Sequence, residues 1–170
     1  LHDTIREILF ETETYKYIIY DHSTGEIADF IGIKIKDKKI QVTLIHVKRR
    51  VAKGYNSSVS ELYEVCGQSV KSAIWLRSKK DLLKKIKARR KSGYCKFLKG
   101  DFLNLEKDLN GNFLLRGQII AVQPSITSTL DFEEKTKNVI AAASSYLKNV
   151  GYINQFLVWG SALSAFSNAN

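Results

Sequence analysis

The feature that most constrains this chain is a pair of alternating segments joined by a short polar turn. Between Glu26 and Lys36, residues Ile27, Asp29, Ile31, Ile33 and Ile35 share one parity; between Ile40 and Lys48, residues Ile40, Val42, Leu44, His46 and Lys48 do the same. A period of two marks β-strands, whose successive side chains point to opposite faces. Asp37, Lys38 and Lys39 lie between the two runs as a turn signal. The strands must pair so that their apolar sets share a face, because a one-residue slip would send one set to solvent. An even-length turn at Lys38-Lys39 meets that condition and predicts Asp29 opposite Lys48 and Ile31 opposite His46. Each strand is apolar near the turn and ionisable at its far end, so Asp29, His46 and Lys48 are expected to gather at the rim of an apolar face.

The flanking sequence surrounds this hairpin with helices and further strands. Thr4-x-x-Glu7 is a capping box that opens a short helix through Ile8 and Leu9. Tyr15 to Tyr20 reads as a strand and Ser23-Thr24-Gly25 as a turn. After a loop marked by Gly54, Asn56 and Ser57, Ser58-x-x-Glu61 opens a helix to about Leu76, with Leu62, Val65, Ser69, Ala73 and Leu76 along one side. Ser78-x-x-Asp81 starts a shorter basic helix to about Lys91, ended by Ser92-Gly93. Phe113 to Gln123 reads as a strand stopped by Pro124. Ser128-x-x-Asp131 opens a helix that carries Phe132, runs to about Val150 and is closed by Gly151; a last strand spans Tyr152 to Gly160. The order is α-β-β-β-α-α-β-α-β, an α/β chain whose 170 residues suit a single domain.

Composition excludes several classes. With 44% hydrophobic and 26% charged residues the chain is globular rather than disordered. No apolar run approaches the roughly 18 residues of a membrane span, and no secretory leader is visible. Cys66 and Cys95 are too few for a disulfide scaffold or a four-cysteine zinc site, and Cys66 reads as a small buried residue. A cytoplasmic location without a membrane partner is expected. The absence of Met, even at position 1, and the small polar tail from Ser161 to Asn170 suggest the C-terminal part of a longer chain.

The net charge of +10 is concentrated in residues 77–99, which hold eleven Lys or Arg against one acid. A field of that kind attracts polyanions, nucleic acid above all; a solvated helix face or a patch for acidic lipid would look similar. Lys84, Lys85, Lys87, Arg89, Arg90 and Lys91 are the expected phosphate contacts, followed by the interleaved Tyr94, Lys96, Phe97 and Lys99. Such contacts give salt-sensitive affinity without sequence readout.

A carboxylate and an ammonium on a core-facing strand end cost several kcal/mol unless they are paired or bind a cation. Two accounts follow. One is a structural Asp29–Lys48 ion pair with His46 beside it. The other is a divalent-metal site with a catalytic lysine, as phosphodiester hydrolysis requires.

The wording of the chain favours the second. "DHSTGEIADFIGI", "VTLIHVK", "SELYEVCGQSVKSA" and "IIAVQPSI", in that order on an α-β-β-β-α-β frame, resemble the PD-(D/E)xK nuclease superfamily, and within it the nuclease-like C-terminal module of bacterial helicase-containing restriction and defence proteins. The resemblance covers roughly residues 15–126. It implies a restriction endonuclease-like αβββαβ core, a central mixed sheet flanked by helices, and a nuclease, more an endonuclease than an exonuclease, dependent on Mg2+ or Mn2+. It implies nucleic acid as partner, DNA favoured, a helicase/ATPase region in the same parent chain, and a homodimer where both strands are cut. Residue by residue, it makes Asp29 a metal ligand, Lys48 the catalytic lysine, and Gln68 a group that positions metal or substrate. Glu7 or Glu11 would match an acid that some members add.

The family's acid two residues before the lysine is His46 here, and imidazole suits Mn2+ better than Mg2+. Strict alternation puts Glu26 on the opposite face from Asp29, so it joins the metal site only through a bulge. Glu61, Glu64, Gln68, Lys71 and Trp75 share one side of the second helix, either as a solvated face or facing the hairpin rim. His2 and His22 have no partner pattern and are expected at the surface. A non-catalytic nucleic-acid-binding module of the same fold, and an assembly module docking through its helices, are the alternatives.

Overall fold

The computed structural model describes residues 1–12, 14–48, 59–124, 126, 134–150 and 152–160. The expected features at Gly54–Ser58, Ser128–Phe132, Gly151 and the Ser161–Asn170 tail lie outside them.

The hairpin is the centre of the fold. Strands β2 (Phe30–Lys36) and β3 (Lys39–Val47) pair antiparallel, with Phe30 opposite Ile45 and Ile31 opposite Leu44. The turn is Asp37-Lys38, with φ of 51° and 58°. Two left-handed residues form the kind of tight turn whose twist matches that of the paired strands. This corrects the expected register by two positions: both apolar sets still share a face, but one step beyond the Phe30–Ile45 pair it is His46, not Lys48, that stands level with Asp29. The second strand also begins later than its alternation suggests, because the segment from Glu26 to Asp29 is irregular.

Around the hairpin, β1 (Tyr17–Asp21) lies antiparallel to β2, and β4 (Cys95–Lys99) antiparallel to β1. On the other side β5 (Leu114–Val122) runs parallel to β3, and β6 (Ile153–Trp159) parallel to β5. The result is a six-stranded mixed sheet in the order β4-β1-β2-β3-β5-β6.

Among the described residues five helices flank it: α1 (His2–Glu11), α2 (Val59–Ser72) continued by a 3₁₀ turn (Ala73–Leu76), α3 (Lys79–Lys91), α4 (Phe102–Asn110) and α5 (Glu134–Asn149). On one face Ile31, Ile33, Val42, Leu44 and Ile119 pack against Leu76, Leu82, Ile86, Leu105 and Leu147. Leu62, Val65, Val139 and Ala143 extend that layer over Ala121. On the other face Ile5 and Leu9 of α1 cover Ile18, Phe30, Ile45 and Ile120. Tyr15 lies across β2 at Gly32, where a Cβ would come within 2.5 Å of its ring, so only glycine fits there. Among the described residues no helix is long and apolar enough to cross a membrane.

Three local expectations are revised. Helix α1 starts at His2 with Leu1 as its N-cap and no side-chain cap bond, so Thr4 is inside the helix rather than capping it. The basic-aromatic stretch after Tyr94 is the edge strand β4. Helix α4, not anticipated, has the Asp101 side chain accepting from the Asn104 amide, and buries Phe102, Leu105 and Leu109. The cap at Ser78 forms as expected, accepting from the Asp81 amide.

One buried ion pair ties α3 to the sheet. Arg89 Nε donates to Asp21 Oδ1 at 2.8 Å, and its other nitrogens donate to the carbonyls of His22, Ser23 and Thr24. Both side chains are buried, so removing one partner strands the other's charge. Arg89→Ala is expected to lower the unfolding free energy by about 3–5 kcal/mol in urea titrations, against about 0.5 kcal/mol or less for the exposed Lys84→Ala.

Candidate metal centre

The site is built where the β2–β3 ladder ends. Asp29 sits just before β2, and its Oδ2 accepts from the Val47 amide at 2.8 Å, standing in for the missing strand partner. Its backbone carbonyl accepts from the Asp21 amide. The remaining oxygen, Oδ1, is 3.3 Å from His2 Nε2 of α1 and 3.4 Å from His22 Nδ1.

The segment between β1 and β2 brings in Glu26. Ser23 and Gly25 take φ of 103° and 78°, which folds the chain back on itself, and Asp21 Oδ2 accepts from the Ile27 amide at 2.8 Å. Glu26 thereby reaches Asp29 without a bulge, because the strand that would have turned it away has not yet begun. Ligand atoms of Glu26, Asp29 and His46 all lie within 4.8 Å of one another, as do those of His2, His22 and Asp29.

His46 projects from β3 toward α2 and is 2% exposed. Its Nε2 is 2.8 Å from Ser72 Oγ, whose own hydroxyl is 3.0 Å from the Ser69 carbonyl. With the serine proton directed to that carbonyl, Ser72 accepts from the imidazole, which fixes the proton on Nε2. Nδ1 is then a bare lone pair, buried and without a hydrogen-bond partner among the described residues. Burial pushes the His46 pKa down to about 4, against the opposing pull of Asp29. The ring is neutral at physiological pH, as a metal ligand must be. Burial, and then the Asp29 carboxylate, hold the Glu26 carboxyl above its ordinary range. Among the described residues no lysine or arginine pairs with Glu26 or Asp29. Two carboxylates and an unsatisfied imidazole nitrogen form a donor set suited to a divalent cation.

The other expected site residues fall in different places. Lys48 projects toward α2, where its Nζ is 2.5 Å from Glu64 Oε1. Gln68 lines a cavity of about 900 Å³ together with Glu26, His46, Lys71 and Trp75. That side of α2 divides: Glu61 is buried and accepts from Gln123 at 2.7 Å, whereas Glu64 is half exposed. Glu7 and Glu11 are exposed on α1, so the first helix contributes His2 to the cluster and not an acid. Lys84, Lys87, Arg90 and Lys91 are exposed on α3. Lys87 is 3.4 Å from Glu106, and Arg90 stacks over Phe102. Arg89 leaves that set, because its donors are spent on Asp21 and three carbonyls.

His2, His22 and Ser72 were missed in the sequence. His22 had a signal: Ser23-Thr24-Gly25 turns the chain so that His22 and Glu26, four apart, meet at 3.8 Å. Ser72 lies on the buried side of α2 with Ser69, where a small hydroxyl marks a partner to be found. His2 had none, since its contact depends on where α1 crosses the sheet. Compared with protein-family models, curated proteins and solved structures, the chain matches none.

The depressed His46 pKa sets a stability profile. An imidazole that titrates near 6.5 when unfolded and near 4 when folded stabilises the fold fully above pH 6.5 and loses that contribution as pH falls toward 4. In EDTA, wild type is expected to lose up to about 3 kcal/mol across that window from this group. Chemical denaturation of His46→Asn should show a shallower loss than wild type over the same range.

Proposed function

We propose that this chain is a metal-dependent nuclease domain that hydrolyses phosphodiesters, DNA in particular, in a bacterial restriction or phage-defence system of the cytoplasm, attached to a helicase/ATPase region of the same parent protein. The observation that carries the proposal is the buried His46 ring, which offers a nitrogen within 4.8 Å of carboxylate oxygens of Glu26 and Asp29 and whose Nδ1 has no hydrogen-bond partner among the described residues. Leaving such an atom unsatisfied costs about 1–3 kcal/mol, a penalty that a cation at this point removes. The order of elements is compatible with it: an N-terminal helix, an antiparallel β1-β2-β3 meander and a parallel β5 beside β3 are what an αβββαβ core would need, with α3, the edge strand β4 and α4 added to the connection after α2.

Glu26, Asp29 and His46 would hold the ion. When bound, Mn2+ or Mg2+ makes a water acidic enough to attack at neutral pH and offsets charge building on the phosphate. The chain's own groups do the rest. The Val47 amide fixes the Asp29 carboxylate, and Ser72 fixes the tautomer that leaves Nδ1 free. Gln68 lines the cavity beside the donor set and positions substrate. Lys48 orients the attacking water once its ammonium is released from Glu64. The imidazole donor favours Mn2+ over Mg2+.

A non-catalytic nucleic-acid-binding module is the second reading, and one contact favours it: the Lys48 ammonium is already engaged by Glu64.

Cleavage of linear and circular DNA in Mn2+, Mg2+ and EDTA separates the two. The nuclease cuts circular DNA, faster in Mn2+ than in Mg2+, and is silent in EDTA. Asp29→Asn and Lys48→Ala each lower the rate by at least ~100-fold, with unfolding curves that confirm a folded chain. Salt-sensitive binding with no cleavage under any metal would leave the binding module standing and end the nuclease.

A further inference from the structure

The cavity beside the metal centre does not stop there. From Glu26 and His46 it passes Gln68 and Lys71 to Trp75, with Tyr146 and Tyr152 also in its wall. A second depression of about 360 Å³ begins at the same Trp75 and Arg77 and is bounded by Lys84 and Lys85 of α3. The indole of Trp75 is therefore the junction between the carboxylate–imidazole cluster and the basic outer surface of α3. It is half-buried, and the Lys85 ammonium lies 5.0 Å from its ring centroid. Tyr146 is 53% exposed although it lines the cavity. Lys71 is exposed and has no ion pair among the described residues.

Aromatic faces interleaved with cations along a groove are the chemistry of single-stranded nucleic acid binding: rings stack on bases of any sequence, and cations follow the backbone. A duplex keeps its base faces stacked on one another and offers only phosphates and groove edges. At about 900 Å³ the larger cavity is the size of clefts that enclose a small ligand, roughly 300–1,000 Å³. That is room for an unpaired base with its sugar and phosphate.

We infer that the substrate enters as a single strand, with a base stacked on Trp75, its backbone on Lys85 and Lys84, and the next phosphate directed toward Glu26 and His46. The inference rests on the proposed hydrolytic site for why the strand ends there, so its test is read as binding, without cleavage.

The chain has two tryptophans, and Trp159→Phe leaves Trp75 as the only tryptophan, excited selectively at the red edge where tyrosine does not absorb. That variant is titrated in EDTA with an oligothymidylate and with a duplex of the same length, following Trp75 emission and the anisotropy of a labelled strand. The single strand should quench Trp75 and bind roughly tenfold tighter than the duplex at the same salt. In the wild-type background Trp75→Phe should keep most of the affinity and Trp75→Ala should lose about tenfold. Tyr146→Ala, at an exposed position, should weaken binding severalfold and serves if Trp75→Ala does not fold. Duplex binding as tight as or tighter than the single strand, or single-strand binding that leaves Trp75 emission unchanged, overturns the inference. Because no metal is present, an inactive nuclease centre would not alter these results, and Mn2+-dependent cutting of duplex without Trp75 quenching would keep the nuclease while overturning the single-strand path.

Discussion

The carboxylate of Asp29 on the amide of Val47 is the contact on which the site depends. At the end of the β2–β3 ladder the strands part, and a side chain takes over the role of a backbone acceptor. A buried amide left unpaired there would be costly, so Asp29 is held for a structural reason before any chemistry is asked of it. That leaves its second oxygen exposed to whatever the neighbouring segments bring. From three directions they bring His2, His22 and the Glu26–His46 pair. Because the carboxylate lies at the end of the sheet rather than on one face, it can be shared by groups from α1, from the β1–β2 connection and from β3.

The connection is itself secured from outside. Arg89 reaches from the basic helix to Asp21 and to the carbonyls of His22, Ser23 and Thr24, and the far oxygen of Asp21 takes the Ile27 amide. A single buried guanidinium thus sets the path that carries His22 and Glu26 to Asp29. The positive charge of residues 77–99 is consequently divided. Arg89 faces inward as a structural clamp, while Lys84, Lys87, Arg90 and Lys91 remain on the surface.

Period-two patterning made the hairpin legible, and with it the apolar face shared by Ile31, Ile33, Val42 and Leu44, since parity survives a shift of two residues. The register was not legible. Asp37-Lys38 and Lys38-Lys39 are equally polar pairs, and the choice rests on which two residues accept left-handed φ. Alternation also ran on past the true start of β2. Ile27 is buried, but in a folded-back connection, so its parity placed Glu26 on the wrong face. Arg89 could have been singled out, because it continues the Leu82 and Ile86 stripe of α3 at helical spacing. Helix α4 had its signal too, in Asp101 followed by Phe102, Leu105 and Leu109. The groups that complete the cluster, His2 and Ser72, come from segments far away in sequence, and no local pattern ties them to Asp29.

The central claim is that Glu26, Asp29 and His46 hold one divalent cation through the free Nδ1 of His46. Proton–nitrogen correlation spectra of the histidine rings, recorded during a Mn2+ titration, test it most directly, because a paramagnetic ion erases resonances of the rings nearest to it. The chain has three histidines. The His46 ring should show an Nε2-protonated neutral imidazole without metal and should be the first to vanish, at about one equivalent. A His46 signal that stays sharp beyond that ratio, or an Nδ1-protonated ring in the metal-free protein, would contradict the account.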